Sequence, residues 1–475
     1  MSDSRQAETL ADYGDFDRWY VDVVAKAELA DDSPVRGCKI IRPYGYAIWE
    51  RMVERLDARI KATGVENAYF PLFIPQSLLA REAEHVEGFA PEVAWVERGG
   101  DRPLDEPLAV RPTSEAIIGA SYARWVQSYR DLPILINQWS NVVRWEERTR
   151  EFLWQEGHTC HASGEEASER ARLMLEVYRA FYEDDLAIPV VAGVKTEAEK
   201  FAGALRTHTV EAMMGGKFWA LQAGTSHDLG DHFGRAFDIR FVDRDGARKW
   251  AFSTSWGLSQ RAVGAVIMVH GDAAGLALPP VVAPVQAAII PIARTADDLA
   301  DVTRSVERAL DCLLPAVRVR VDWRDDRTPG YKFNEWELKG VPLRLEIGPR
   351  EAAAGQVRLV RRDTGERTDV SVENLGETVV TTLAALQANL FAAARRMRDE
   401  RIALVDRSAD LAERVADNAG WSLAHWCGAA ACEARVKAET KATIRCIPSD
   451  APDENGRCVV CGGRSERRVI FARAY

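Results

Sequence analysis

No apolar run in the 475 residues approaches the ~20 needed to cross a bilayer. A secretory start is also missing. MSDSRQAETLADYGDFDRWY is acidic and polar, without the basic beginning and apolar core of a signal, so a cytoplasmic location and no membrane partner are expected. There is no surplus of positive charge. A net charge of −10 and a pI of about 5.5 exclude bulk electrostatic adhesion to nucleic acid, while leaving room for a local basic patch. Two common nucleotide loops are absent: no GxGxxG follows a strand pattern and no GxxxxGK[ST] occurs. A nucleotide site in this chain must therefore use arginines on a sheet. Internal repeats and low-complexity tracts are lacking as well.

What remains is the balance of a soluble globular protein, 47% apolar and 28% charged. The length suits about two to four domains of roughly 100–200 residues. GYAIWERMVERLDARIKATG (45–64) spaces Ile48, Met52, Leu56 and Ile60 by four, which predicts a helix ended by Gly64. ENAYFPLFIP then reads as a strand limited by its prolines to an edge or terminus. Helix and strand together form either a dimer element or plain core. Two antiparallel strands are expected in 134–162, a helix over 165–186, and further β pattern in ALQAGTSHDLG, RAFDIRFVDRDG and WAFSTSWGLS before an apolar helix. This is an antiparallel sheet flanked by helices. LPPVVAP (278–284) reads as a linker. After it, alternating strand and helix patterns, with a long helix from about 376, indicate a separate α/β domain. The expected units are 1–283, 284–398 and 399–475.

The stretch RWEERTREFLWQEGH (144–158) crowds Arg144, Arg148, Arg150 and His158 among four glutamates and two tryptophans. Alternation on a strand places Arg144 beside Glu146, and Trp154, Glu156 and His158 in a row. A solvent-facing strand can carry such charges by accident. Here the opposite face holds Val143, Trp145 and Leu153, so both faces are partly enclosed, and buried charges need partners. That favours a ligand with charges of its own, and a planar guanidinium at Arg144 suits phosphate or carboxylate. VRPTSE (110–115) offers Thr113 and Glu115 either as a pair to hold an ammonium or as a plain helix cap. QAGTSHDLG (222–230) is a loop or a pocket wall through Gln222, Thr225 and His227. WGLSQR (256–261) brings Arg261 to a helix start, where an anion is favoured. In the tail, Cys427-x4-Cys432 and Cys458-x2-Cys461 are paired cysteines, which suggests a metal before a disulfide.

Taken together, these segments resemble the prolyl-tRNA synthetases, class II aminoacyl-tRNA synthetases, in their archaeal and eukaryotic-like form. The resemblance runs from about residue 14 to Tyr475. ENAYFPLFIP is similar to motif 1, the dimer element, with Pro71 at its marker position. RPTSE is similar to the proline-binding loop, NQWSNVVRWE and EFLWQEGHT to the two strands of motif 2, and TSWGLSQR to motif 3. TEAEKFAGA, QAGTSHDLG and PGYKFNEWELKGVPLRLEIGPR stand in family order. The class I signatures HIGH and KMSKS are absent.

The resemblance implies a class II α+β catalytic domain, an α/β anticodon-binding domain and a small C-terminal zinc domain. It implies a homodimeric ligase that activates proline with ATP and passes it to tRNA(Pro). Arg144 would bridge the proline carboxylate and the α-phosphate, and Arg261 would hold the γ-phosphate, with Mg²⁺ expected on the phosphates. Thr113 and Glu115 would receive the secondary ammonium. Trp154, Glu156, His158 and Phe201 would shape the ring pocket, with Thr225 and His227 nearby. Glu146, Gln222, Thr225 and Ser259 would join the two arginines at ATP. Cys427, Cys432, Cys458 and Cys461 would hold a structural Zn²⁺, leaving Cys446 spare.

One departure stands out. Only Glu147, Arg148, Thr149 and Arg150 separate Glu146 from Glu151, where the family carries a longer loop with a Pro-Phe-Leu-Arg element that serves ATP and the tRNA acceptor end. A proline-activating paralogue with weak or no tRNA charging is the alternative that this raises. A tRNA-binding regulatory protein and a ligase for another acceptor are further readings. The arginines weigh against the first of these, and the anticodon-like domain against the second.

Overall fold

The structure, a computed structural model, describes residues 10–85, 92–314 and 316–475. The first nine residues of the acidic start therefore lie outside the described residues.

The helix expected at 45–64 spans Pro43–Lys61. Pro43 fits the first turn, where no backbone donor is needed, and Arg59 and Lys61 sit at the negative end of the dipole. Its face of Ile48, Met52, Leu56 and Ile60 is fully buried, each side chain contributing roughly 1.5–3 kcal/mol on leaving water. Arg55 and Arg59 both reach the buried carboxylate of Asp185. This helix is core.

ENAYFPLFIP is not one strand. Only Glu66–Asn67 and Phe73–Pro75 pair, and they belong to different sheets. The chain leaves the ladder because Pro71 has no N–H to donate, and the Phe70 N–H goes to the Gln138 side chain (2.5 Å) rather than to a backbone carbonyl. Phe73–Pro75, Arg102–Val110 and Trp95–Gly99 build a small antiparallel sheet of their own.

The expected hairpin forms from Ile134–Val143 and Glu151–His161, antiparallel, with Gln138 opposite Glu156 and Ile136 opposite His158. Next to it lie Phe252–Ser259, Ala220–Asp228, Arg206–Met213 and Val190–Val194 in that order. The helix Gly164–Ala180, capped by Ser163 and continued by one wide turn over Phe181–Asp185, covers one face of this sheet.

The linker stretch is packed, not free. Leu278, Val282 and Ala283 are buried, and the Arg318 guanidinium donates to the carbonyls of Pro280 (2.8 Å) and Ala283 (2.9 Å). Beyond it, a five-stranded sheet orders Val319–Val321, Ala287–Pro291, Leu343–Ile347, Gln356–Arg361 and Arg367–Ser371. Its first three strands are parallel and the last two antiparallel additions, as expected for a separate α/β unit. The long helix runs Leu375–Arg401, through the boundary expected at 398.

The C-terminal unit does not stand apart. Its strand Ala442–Pro448 pairs with Val190–Val194, so the core sheet continues into the tail and reaches eleven strands. A buried ion network closes the seam: Lys195 Nζ lies 2.7 Å from Glu211 Oε1, and the Arg445 guanidinium 3.1 Å from Glu211 Oε2. Removing one member of such a network strands a buried charge, at a cost of about 3–5 kcal/mol.

Candidate active site

A cleft of about 260 Å³ opens over the middle of the core sheet. Its floor is the second hairpin strand, where alternation turns Trp154, Glu156 and His158 to the same side, as the spacing predicts. Trp256 lies directly against Gly157 on that strand: a Cβ there would stand 2.1 Å from the indole ring.

Thr113 and Glu115 enter the cleft from the start of the helix Glu115–Trp125. The helix-cap reading fails in a specific way. Neither hydroxyl caps the backbone: Thr113 Oγ1 donates to the Glu115 carboxylate, and Ser114 Oγ to Glu156. Gln138 completes the cradle of Glu156 with an amide hydrogen bond of 2.8 Å. Burial, with the neighbouring Glu115 charge, pushes the Glu156 pKa up in spite of those donors. Burial pushes Glu115 the same way, but contact with His158 and the Thr113 hydroxyl outweighs it and holds this carboxyl well below its usual range.

Arg144 occupies the wall beside these groups. Its Nε donates to the Pro112 carbonyl at 3.2 Å, and its guanidinium lies 5.2 Å from the Trp154 ring and 5.8 Å from that of Phe152. On the opposite wall, His227 stacks on Phe201 at 4.6 Å and meets the Thr207 hydroxyl through Nδ1 at 3.0 Å. Burial pushes His227 down to about 4, which keeps it neutral near pH 7. Gln222, Thr225 and Ser259 line the far end, with Arg261 at the first turn of Arg261–His270.

Every cleft residue expected from the sequence is therefore gathered here except Glu146. The strand ends at Val143 and the chain turns at once, so alternation no longer pairs Arg144 with Glu146. Glu146 sits exposed on the turn, outside the cleft lining. Sequence reasoning missed Ser114 and Gln138, which hold other side chains rather than face the cavity, and Thr207, which lines the cleft and holds His227. It also missed Lys200, adjacent to Phe201 at the mouth. The signal for Gln138 is its cross-strand place opposite Glu156, visible only once the register is known.

Several buried polar atoms in the cleft have no hydrogen-bond partner in the protein: His158 Nδ1, the indole N–H of Trp154 and of Trp256, and Ser255 Oγ, while His158 Nε2 faces Glu115 Oε1 at 3.4 Å. Buried polar atoms are normally hydrogen-bonded. With carboxylates at one end and arginines beyond, the cleft is built for a ligand that carries a cation on one side and anions on the other.

The turn joining the hairpin is fixed locally. Arg144 N–H donates to the Arg150 carbonyl (2.8 Å), Arg150 N–H to the Gly37 carbonyl (2.7 Å), and the Arg150 guanidinium lies 4.0 Å over the Trp145 ring. Arg150 is thus engaged away from the cleft.

In the tail, the sulfurs of Cys427, Cys432, Cys458 and Cys461 all lie within 4.8 Å of one another. Cys427 stands 3.7 Å from both Cys432 and Cys461. A tetrahedral site with Zn–S of ~2.3 Å requires sulfurs about 3.8 Å apart, so the donor set fits Zn²⁺. The Gly463 N–H points at Cys461 Sγ (3.4 Å), a second-layer contact typical of thiolate sites. Cys446 is buried elsewhere, against Gly193.

Comparison with known proteins agrees with this geometry. Residues 95–270 match a tRNA synthetase class II core domain (G, H, P, S and T), residues 286–382 an anticodon binding domain, and residues 409–475 a prolyl-tRNA synthetase C-terminal domain. A proline–tRNA ligase of Natranaerobius thermophilus is 53% identical over 97% of this chain and 96% of its own. One from Symbiobacterium thermophilum is 52% identical over 97% of both chains. The crystal structure of prolyl-tRNA synthetase from Cryptosporidium parvum, complexed with halofuginone and AMPPNP, superposes with a TM-score of 0.92 at 40% identity, covering 98% of this chain and 97% of that one.

Proposed function

The chain belongs to the prolyl-tRNA synthetase family, and from that premise we propose how its cleft carries out proline–tRNA ligation. The reaction joins proline to ATP, releases pyrophosphate, and passes the prolyl group to the terminal adenosine of tRNA(Pro). The observation that carries the assignment of roles is the convergence of the Glu115 carboxylate and the Arg144 guanidinium on one small cleft.

A zwitterion fits that polarity. The ammonium of proline sits by Glu115 and Thr113, its ring lies among Trp154, His158 and Phe201 with Glu156 beneath, and Thr225 and His227 close the side. Its carboxylate then points at Arg144, which also meets the α-phosphate. Two anions are brought together in the first step, and a fixed guanidinium between them lowers the repulsion without reorganising. Gln222 and Ser259 border the nucleotide, and Arg261 takes the γ-phosphate at a helix start. Mg²⁺, when bound, supplies further neutralisation of the phosphates. The four tail cysteines would hold a structural Zn²⁺, which would stabilise the last unit.

We further propose a cytoplasmic homodimer. Tyr69, Phe73 and Trp95 are exposed large side chains on and beside the small sheet that contains part of the motif 1 stretch, and a second copy of that surface would cover them. Among the described residues no helix is long and apolar enough to cross a membrane.

Proline-dependent ATP–pyrophosphate exchange tests the cleft assignment. Exchange should require proline and should not be supported by leucine or lysine. Exchange with those amino acids at the proline rate would refute the pocket.

A further inference from the structure

At the bottom of the cleft, Glu115, Glu156 and His158 place their ligand atoms within 4.8 Å of one another, and all three are buried. His158 Nε2 stands 3.4 Å from Glu115 Oε1, while Nδ1 has no hydrogen-bond partner. Glu156 already accepts from the Ser114 hydroxyl and N–H and from the Gln138 amide, and Glu115 takes one hydroxyl from Thr113. Two buried carboxylates thus face one imidazole. Such a trio retains a proton, because two adjacent negative charges out of water strongly disfavour each other.

We infer that in the empty cleft a proton on His158 stands in for the ligand cation, and that proline binds by exchange: its ammonium takes the place beside Glu115 while His158 gives its proton to solvent. This rests on the proline reading of the cleft. No bond within proline changes; the imidazolium N–H breaks and the proton goes to buffer. The neutral ring then offers a lone pair, so Glu115 and His158 form two acceptors for the two N–H groups of a secondary ammonium.

The groups that face His158 agree. The helix Glu115–Trp125 presents Glu115 and the Tyr122 hydroxyl, which donates to the His158 carbonyl (2.9 Å). Its own strand presents Glu156 and, two residues on, Cys160, a thiol that burial pushes up to about 12 and keeps neutral. The flanking strands place Ser255 and Ile136 opposite it, neither of them charged. Across the cleft, His227 is neutral near pH 7, and His208, whose charge acts on His227, is likewise pushed down to about 4 by burial. The Arg111 charge acts on Glu156 from outside the trio, and Arg144, Glu199 and Lys200 line the wall and mouth.

Burial alone would push the His158 pKa down, but Glu115 in contact, with Glu156 behind, outweighs burial and raises it. An ammonium beside Glu115 cancels that attraction and repels the imidazolium, so the pKa falls in the complex. Between the two values binding releases a proton, and proline affinity rises with pH, up to about tenfold per pH unit for one proton. Above the empty-cleft pKa the dependence vanishes.

Calorimetric titration of the full chain with proline, at one pH in phosphate and in Tris, counts the protons. Just below neutral pH we expect about 0.5–1 proton released per proline, declining towards zero as the pH rises. His158→Gln should bind proline with equal heats in both buffers and an affinity that is flat with pH. If that variant does not fold, the wild-type series over pH decides by itself. Wild-type heats that bind normally but do not depend on buffer overturn the exchange, and an unchanged proton count in His158→Gln overturns the choice of His158. Failure of proline to bind at all overturns the proline reading with it.

Discussion

Arg144 sits one residue past the end of a strand, tied to the Pro112 carbonyl and stacked near Trp154, so its guanidinium is fixed before any ligand arrives. Removing a preorganised donor of this kind costs about 2.7–4 kcal/mol, or 10²–10³ in rate. Arg144→Ala should therefore lose that much pyrophosphate exchange while keeping its fold by circular dichroism. A rate within about threefold of wild type would contradict the assigned role. At this scale most of the cleft was legible. Trp154, Glu156 and His158 share a strand face, and alternation reveals such residues without coordinates. Ser114, Gln138 and Thr207 were not legible, because each works by holding another side chain and a hydroxyl or amide on a strand has many ordinary reasons to be there. Glu146 differs for a complementary reason: the strand ends at Val143, so alternation does not reach this residue and does not set it beside Arg144.

Among the elements, the short turn matters most. The hairpin keeps its register, with Val143 opposite Glu151, and a slip of one residue would turn Trp154, Glu156 and His158 away from the cleft. The proposed proline end is therefore expected to stay intact with the short loop. What changes is beyond Arg144: Arg150 lies over Trp145 and its N–H is bound to Gly37, so it does not replace the arginine of a longer loop in this arrangement. Inserting a family-length loop between Arg150 and Glu151 should raise prolyl transfer to tRNA by more than it changes proline affinity, measured by single-turnover transfer and by calorimetry. An equal gain in both, or none in transfer, would count against this division of labour. The cysteine cluster is the other element with its own test. One Zn²⁺ per chain should copurify, and Cys458→Ser should lose metal and lower the thermal midpoint, with activity falling through stability. Metal analysis of fresh protein that finds no zinc would refute the site. Helices with a clean four-residue spacing, such as Pro43–Lys61, were legible in the sequence. ENAYFPLFIP was not, since its β-forming composition hides two short pairings in different sheets.

For the whole molecule, the sequence separated three units, while the structure runs one sheet from the catalytic core into the tail. Pairing between Val190–Val194 and Ala442–Pro448 joins residues some 250 positions apart, and no local pattern announces a contact at that range. The buried Lys195, Glu211 and Arg445 network, split between the two units, was invisible for the same reason. The α/β unit was easier, because its alternating elements pack mainly on one another. This continuity gives the tail a direct mechanical hold on the sheet that carries the cleft: the strand Val190–Val194 that receives it is separated from Ala220–Asp228, with Gln222, Thr225 and His227, by a single strand. On this reading the cleft, with its shortened turn, makes prolyl-tRNA. Charging of tRNA(Pro) with labelled proline by the unmodified chain, in ATP and Mg²⁺, measures it directly. Charging is expected to depend on proline and to be lost in Arg144→Ala. Proline-dependent pyrophosphate exchange with no charging of tRNA(Pro) at any enzyme concentration would contradict it.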